Sequence, residues 1–217
     1  MKILVKFPCR SRPDKFKNTF SRYIDLAKDL ENLNFVFTFD EDDASMNSED
    51  IRNFLSPYSR ISEINYGKSQ NKIEAINADL DNKVFDILLL ASDDLVPQVK
   101  DYDEIIINHM IENFPDTDGS LQYYSAMWAD TLDIMCILGY KYYKRFNYIY
   151  HPAYKGLFCD NEFTEVKKML NKNKFYPIHL FDHNFASDDI SWRSNKFQHD
   201  DFRVYESRKL LNFDIPL

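Results

Sequence analysis

The sequence predicts an α/β fold with a mostly parallel central sheet flanked by helices, and three observations carry that prediction. Four strand-length apolar runs, Lys2 to Phe7, Phe35 to Phe39, Ile61 to Tyr66 and Phe85 to Leu90, alternate with segments of helical spacing. A βαβαβαβ order of this kind implies parallel strands joined by crossovers. The run from Phe85 to Ala91 is almost continuously apolar, as a strand covered on both faces must be. It then breaks abruptly into Ser92-Asp93-Asp94 before Leu95-Val96-Pro97, placing two adjacent carboxylates at the exit of a buried strand.

The elements follow in order. Lys2 to Phe7 is closed by Pro8. After the loop Pro8-Cys9-Arg10-Ser11-Arg12, Pro13 takes the first position of a helix and Asp14 its first turn. Phe16, Phe20, Ile24, Ala27 and Leu30 keep helical spacing to about Leu33. The second strand ends in Asp40-Glu41-Asp42-Asp43. Ser48 caps a short helix bearing Ile51, Phe54 and Leu55. After the third strand, Gly67 and Ser69 lead into a helix carrying Ile73, Ile76 and Leu80.

Beyond Pro97 the pattern becomes mixed. Asp101 to Phe114 reads as a helix and Asp116-Thr117-Asp118-Gly119 as a turn. Leu121 to Tyr124 and Ile134 to Leu138 read as strands, and Lys141 to Phe146 as a short helix. Tyr148 to Pro152 reads as extended. A helix begins near Asp160, with Phe163, Val166, Met169 and Leu170 on one face. Tyr176 to Phe181 reads as a strand. Asp188-Asp189 and Trp192-Arg193 precede a last helix around Phe202 to Leu211. No repeat and no Gly/Ser-rich linker interrupts the chain, so residues 1–217 are expected to form one domain with halves at 1–97 and 98–217.

Composition narrows the function classes. With 217 residues and 44% hydrophobic content the chain can bury a substantial core, and its high aromatic and low Gly content argue against disorder. A formal charge of −8 argues against a sequence-independent nucleic-acid binder, which needs phosphate-neutralising Lys and Arg. Cys9, Cys136 and Cys159 form no CxxC pair, which disfavours a zinc site of that type or a disulfide framework. The first residues lack a signal-peptide core, and no apolar run reaches membrane-spanning length. A soluble protein of the reducing cytoplasm is expected.

Three loops follow parallel strands and should share one sheet edge, where open α/β sheets bind ligands. The loop Pro8 to Arg12 is basic and suits phosphates or a base. Asp40 to Asp43 is acidic and suits ribose hydroxyls or a base. At Ser92 to Asp94, paired carboxylates are costly to desolvate unless a hard cation offsets them, although an Asp-Asp before a proline is also ordinary turn composition. Neither GxGxxG nor GxxxxGK[ST] occurs, so a cation remains as the means of neutralising a diphosphate.

The order of Pro8-Cys9-Arg10-Ser11-Arg12-Pro13, Asp40, Lys72 with Ala75-Ile76-Asn77, and Leu88 to Pro97 resembles the GT-A glycosyltransferases, especially those of family 2. The likeness is strongest in the front half and continues into Tyr150-His151-Pro152 and Asp160-Asn161-Glu162-Phe163. It implies a GT-A-like, Rossmann-like fold, with residues 1–97 binding a nucleotide-sugar donor and 98–217 an acceptor. It implies transfer of a sugar, with UDP as the expected carrier, to an acceptor hydroxyl with inversion, assisted by Mn²⁺ or Mg²⁺. Asp94 would be the metal ligand, in an Asp-x-Asp-like motif whose first acid is replaced by Ser92. Asp93 would face the ribose or the metal. Pro8, Arg10, Ser11 and Arg12 would line the nucleotide, Asp40 would contact base or ribose, and Lys72 would approach base or diphosphate. Many relatives add a late histidine as a metal ligand, for which His179 and His183 are the candidates, while His151 suits a loop-orienting role. Asp160 or Glu162 would be the general base, with Asp160 preferred. The same two acids also suit an N-cap and a first helical turn.

Tyr123, Tyr124, Trp128 and Trp192 are core residues by default, with one or two available to stack on a sugar or base. The acceptor stays open among a saccharide, a lipid-linked sugar, a protein and a hydroxylated nucleic-acid base. The competing readings are a nucleotidyltransferase on a similar sheet, which would carry a Gly-rich loop after the first strand, and a non-catalytic nucleotide-binding or structural protein that keeps the fold.

Overall fold

A computed structural model describes residues 1–126, 128–183 and 195–215. The elements in chain order are β1 (Ile3–Pro8), α1 (Pro13–Asp25), β2 (Leu33–Asp40), α2 (Glu49–Leu55), β3 (Ser62–Gly67), α3 (Lys72–Asn77), β4 (Ile87–Leu90), β5 (Leu95–Pro97), α4 (Tyr102–Asn113), β6 (Ser120–Tyr123), β7 (Ile137–Gly139), α5 (Tyr140–Phe146), α6 (Cys159–Met169), β8 (Asn173–Tyr176), β9 (Phe181–His183) and α7 (Gln198–Leu210). Seven strands form one sheet in the order β3-β2-β1-β4-β7-β6-β8, and β5 pairs with β9 separately. β1 is parallel to β2 and β4, β2 to β3, and β6 to β8; β7 alone runs antiparallel to its neighbours β4 and β6. The carboxyl ends of β1, β2, β3, β4, β6 and β8 therefore lie on one edge.

Strand alternation sorts the core into two layers. Ile3, Val5 and Phe7 of β1 pack with Phe16 and Phe20 of α1, Ile51 and Leu55 of α2, and Tyr102 and Ile106 of α4. Leu4 and Leu88 face the other way, against Ile73 and Ile76 of α3, Tyr142 of α5, Phe163 and Val166 of α6 and Tyr205 of α7. The first layer is unusually aromatic. Phe16 meets Phe37 edge-on at 5.2 Å, and Phe20 meets Phe35 edge-on at 5.0 Å. Such pairs add about 0.5–1.5 kcal/mol each beyond burial, which fixes α1 firmly over β1 and β2.

Several boundaries differ from the sequence expectation for local physical reasons. α1 stops at Asp25, and Asp29 then caps a 3₁₀ turn at Leu30–Asn32 by accepting from the Glu31 amide. Ser48 caps α2 as expected, whereas α3 is capped by Asn71 and spans only six residues. The expected strand from Tyr176 to Phe181 is divided: β8 ends at Tyr176, next to Pro177, which has no N–H to give a ladder, and β9 begins at Phe181 in the other sheet. Tyr148 to Pro152 is not a strand. Asn77 holds it instead, accepting from the Ile149 amide at 2.9 Å and donating to the Tyr150 carbonyl at 2.7 Å. Gly139 is required where β7 turns into α5, because a Cβ there would lie 2.1 Å from the Thr117 carbonyl oxygen. Asp188, Asp189, Trp192 and Arg193 lie outside the described residues.

Candidate active site

The loops after β1, β2 and β4 are stitched together at the sheet edge. Pro8 ends β1 in register with Thr38 of β2. Arg10 reaches across to Asp40 at 2.6 Å and to Asp42 at 2.7 Å. Asp40 also accepts from the Ser69 amide at 3.2 Å, joining the loop after β3. Ser11 sits at a φ of 61°, a left-handed conformation uncommon for a residue with a Cβ, and its amide donates to Asp43 at 2.6 Å. Arg12 pairs with Asp93 at 2.5 Å, and the Cys9 thiol lies 3.7 Å from the same carboxylate. Asp93 is thus buried and turned toward Arg12, while its carbonyl oxygen accepts from Thr19 of α1 at 2.7 Å. Burial, with the Asp93 charge, pushes the Cys9 thiol pKa up, so Cys9 stays a neutral packing group.

Asp94 points the other way. β5 pairs antiparallel with β9, putting Leu95 opposite His183. His183 Nε2 then lies 3.6 Å from Asp94 Oδ1, beyond an ordinary hydrogen bond but on the same small volume. Burial raises the Asp94 carboxyl, but the neighbouring His183, the hydroxyl of Ser92 donating to it and the positive charge of Lys72 outweigh that. Asp94 is held well below the usual carboxylate range and stays ionised. An ionised carboxylate oxygen and an imidazole nitrogen fit a divalent ion such as Mn²⁺. Among the described residues no group of three or more His, Cys, Asp or Glu side chains converges on one point. His179 is placed elsewhere, 3.7 Å from Asp182 and edge-on to Tyr124.

Lys72, in the first turn of α3, links this pair to the back half. Its charge acts on Asp94, and it also acts on Asp160 in the first turn of α6. The Asp160 side chain is half-buried, but the protein around it is dense enough for desolvation to raise its pKa despite Lys72. A carboxylate whose pKa is raised is suited to accepting a proton. Glu162 differs sharply. Its carboxylate takes two bonds from Arg208 of α7, at 2.7 and 2.9 Å, and one from Tyr154 at 2.7 Å, all buried. Glu162 is therefore a tether for α7, with its oxygens already committed.

The loop from β6 to β7 reaches the same edge. Tyr123 is buried, Tyr124 is half-buried with its amide on the carbonyls of Tyr176 and Ile178, and Trp128 is 39% exposed. His151 is half-buried and its Nδ1 accepts from the Ala153 amide at 3.2 Å, which fits loop orientation. Sequence reasoning gave no holding role to Thr19, Asp43, Asn77 or Arg208, although Asp43 stood in the acidic run after β2 and Asn77 in the motif with Lys72.

This architecture is the GT-A fold, and solved structures of low sequence identity share it. Mannosyltransferase PcManGT from Pyrobaculum calidifontis, in complex with GDP-Man and Mn²⁺, matches 91% of this chain and 61% of its own, at a TM-score of 0.71 and 11% identity. TarS from S. aureus in complex with UDP-GlcNAc matches 88% of this chain and 61% of its own, at a TM-score of 0.66 and 12% identity. A longer TarS structure covers all of this chain with 40% of its own length, at a TM-score of 0.68 and 12% identity. The chain thus spans about three fifths of the length of the mannosyltransferase it matches. No family model and no curated protein matches the sequence. Among the described residues no helix is long and apolar enough to cross a membrane.

Proposed function

We propose that the chain is a divalent-metal-dependent glycosyltransferase of the family 2 type, moving a sugar from a nucleotide donor, with UDP as carrier, to an acceptor hydroxyl with inversion. The observation that carries this reading is the Asp94–His183 pair at the carboxyl edge of a GT-A sheet, with Lys72 acting on both it and Asp160. Asp94 and His183 would hold Mn²⁺ or Mg²⁺, which would supply positive charge against the departing diphosphate. Lys72 adds a fixed positive charge on the same side. The interlocked Arg10, Asp40 and Ser11 form the rim for base and ribose, and Arg12 with Asp93 keeps the floor of that rim in place. Asp160 takes the proton of the acceptor hydroxyl, and one base on the face opposite the leaving group supports inversion. Trp128 offers an aromatic face to a saccharide acceptor. Buried, unpaired Cys9, Cys136 and Cys159 suit a reducing compartment such as the cytoplasm.

Calorimetry with UDP and Mn²⁺ tests the reading. The intact chain should bind UDP in a Mn²⁺-dependent manner. Asp94→Ala should abolish that dependence and His183→Ala should weaken it. Unchanged affinity in Asp94→Ala with Mn²⁺ present would refute the metal assignment.

A further inference from the structure

A second ionic centre lies wholly inside the protein, behind Asp160. Lys167 of α6 contacts Asp133, and both side chains are 0% exposed. Lys167 also donates to Gln122 of β6 at 3.0 Å, and the same Gln122 oxygen accepts from Asn173 of β8 at 3.3 Å. Asp133 accepts from the Met135 amide at 3.1 Å, while its own amide donates to the Thr164 hydroxyl at 2.9 Å. Thr164 in turn donates that hydroxyl to the carbonyl oxygen of Asp160 at 2.7 Å. The contacts form one chain from the sheet, through the end of the β6–β7 loop, to the first turn of α6.

Stability alone is a poor reason for such a centre. Desolvating two charges costs several kcal/mol per ion, and apolar replacements of similar size are often neutral or stabilising. A buried network still fixes geometry, because its members have few alternative partners, even though Gln122 Nε2 is itself left without one. What this one fixes is the backbone of Asp160 relative to the loop that carries Trp128. The Thr164 hydroxyl bridges the Asp133 amide and the Asp160 carbonyl oxygen directly, beside the Lys167–Asp133 contact that also joins α6 to the loop.

We infer that Asp133, Thr164 and Lys167 are positioning residues for glycosyl transfer: they hold the Asp160 carboxylate in register with the acceptor presented by the β6–β7 loop. The inference rests on Asp160 being the base. It assigns the buried pair a role in turnover and none in donor binding, since no contact of the network reaches Asp94, His183 or the loops after β1 and β2. A displacement of about 1 Å at a reacting group can lower a rate by about 10²-fold.

The test uses three variants of the intact chain beside Asp160→Asn. Thr164→Val removes the linking hydroxyl at constant shape, and Thr164→Ser restores it. Asp133→Asn with Lys167→Met removes both charges, and the amide can still accept from Met135. Turnover, Mn²⁺-dependent UDP affinity and thermal midpoint are measured for each. Thr164→Val and the double variant should lose about 10- to 100-fold in kcat with UDP affinity unchanged, Thr164→Ser should recover most of it, and the midpoint of the double variant should not fall in proportion. Asp160→Asn inactive, with Thr164→Val and the double variant at full kcat, would overturn the positioning role and leave the base in place. Losses that follow the midpoint in both variants, with no recovery in Thr164→Ser, would also overturn it. Near-normal turnover in Asp160→Asn would remove the base assignment, and this role with it.

Discussion

Two acids two residues apart, Asp160 and Glu162, should respond to neutralisation in opposite ways. Glu162→Gln leaves Arg208 buried without its main counter-charge. Breaking a buried pair by removing one partner costs about 3–5 kcal/mol. Arg208 keeps a contact to Asp214 at 3.1 Å and to the Phe213 carbonyl at 2.9 Å, so the lower end, about 3 kcal/mol, applies here. For a chain of 217 residues, each kcal/mol moves the thermal midpoint by roughly 2–4 °C, so Glu162→Gln should lower it by about 6–12 °C. Asp160→Asn works the other way. A carboxyl whose pKa is raised by folding binds its proton more tightly in the folded state. It therefore stabilises the fold as pH falls through that pKa, and penalises it at neutral pH. The neutral amide removes the penalty, so the midpoint at pH 7 should hold or rise. Turnover should fall about 10²–10⁴-fold, the worth of a general base. Differential scanning fluorimetry and a sugar-transfer assay, both run well below the lower midpoint, measure the two axes. Full turnover in Asp160→Asn, together with lost turnover in a folded Glu162→Gln, would reverse the assignment.

Other outcomes follow from the same geometry. Because Lys72 lowers the Asp160 pKa, Lys72→Met should move the acid limb of kcat to higher pH as well as slow turnover; a pH–rate profile with an unmoved limb would separate Lys72 from Asp160. Lys6 is buried on β1 and its pKa is lowered to about 8 by burial, against the pull of Asp79. The folded state therefore holds fewer protons than the unfolded one between about 8 and 10.5, and stability should rise with pH across that window by about 3 kcal/mol from this group. Urea unfolding of Lys6→Met should show that slope flattened. Trp128→Ala should raise the acceptor KM while sparing UDP affinity, and an unchanged KM would mean that the exposed ring faces no acceptor.

The front half was legible because its signals are local. The apolar run into Ser92-Asp93-Asp94, the Ser48 cap and Pro13 at a helix start each depend on neighbours in sequence, and parallel strands then put Arg10, Arg12, Asp40 and Asp94 on one edge. The back half resisted because its decisive contacts are distant and its elements short. β5 and β9 have three residues each, and their pairing bridges more than eighty positions to bring His183 to Asp94. No periodicity marks a strand so short, and nothing local separates His183 from His179. Glu162 looked like a first-turn acid because its partner, Arg208, lies in another helix. Lys6, Asp133 and Lys167 are buried by tertiary contacts that nothing in the local sequence marks.

The charge distribution at the edge supports the cation dependence proposed for the site. Asp40, Asp42, Asp43, Asp93, Asp94 and Asp160 lie on loops and first turns at this edge, with Arg10, Arg12 and Lys72. Two of those three cations are already engaged, Arg10 by Asp40 and Asp42 and Arg12 by Asp93. Lys72 acts on Asp94 together with His183, and one ammonium does not offset a carboxylate and a diphosphate together. Charges about 4 Å apart still repel by roughly 4 kcal/mol each at the effective dielectric of a protein surface. A nucleoside diphosphate approaching this edge alone would meet net negative potential, in a chain whose overall charge is −8. On the proposed function, a divalent ion held by Asp94 and His183 would supply the positive charge that offsets this potential. The arginine–aspartate pairs are best understood as scaffolding that holds the loops after β1, β2 and β4 together.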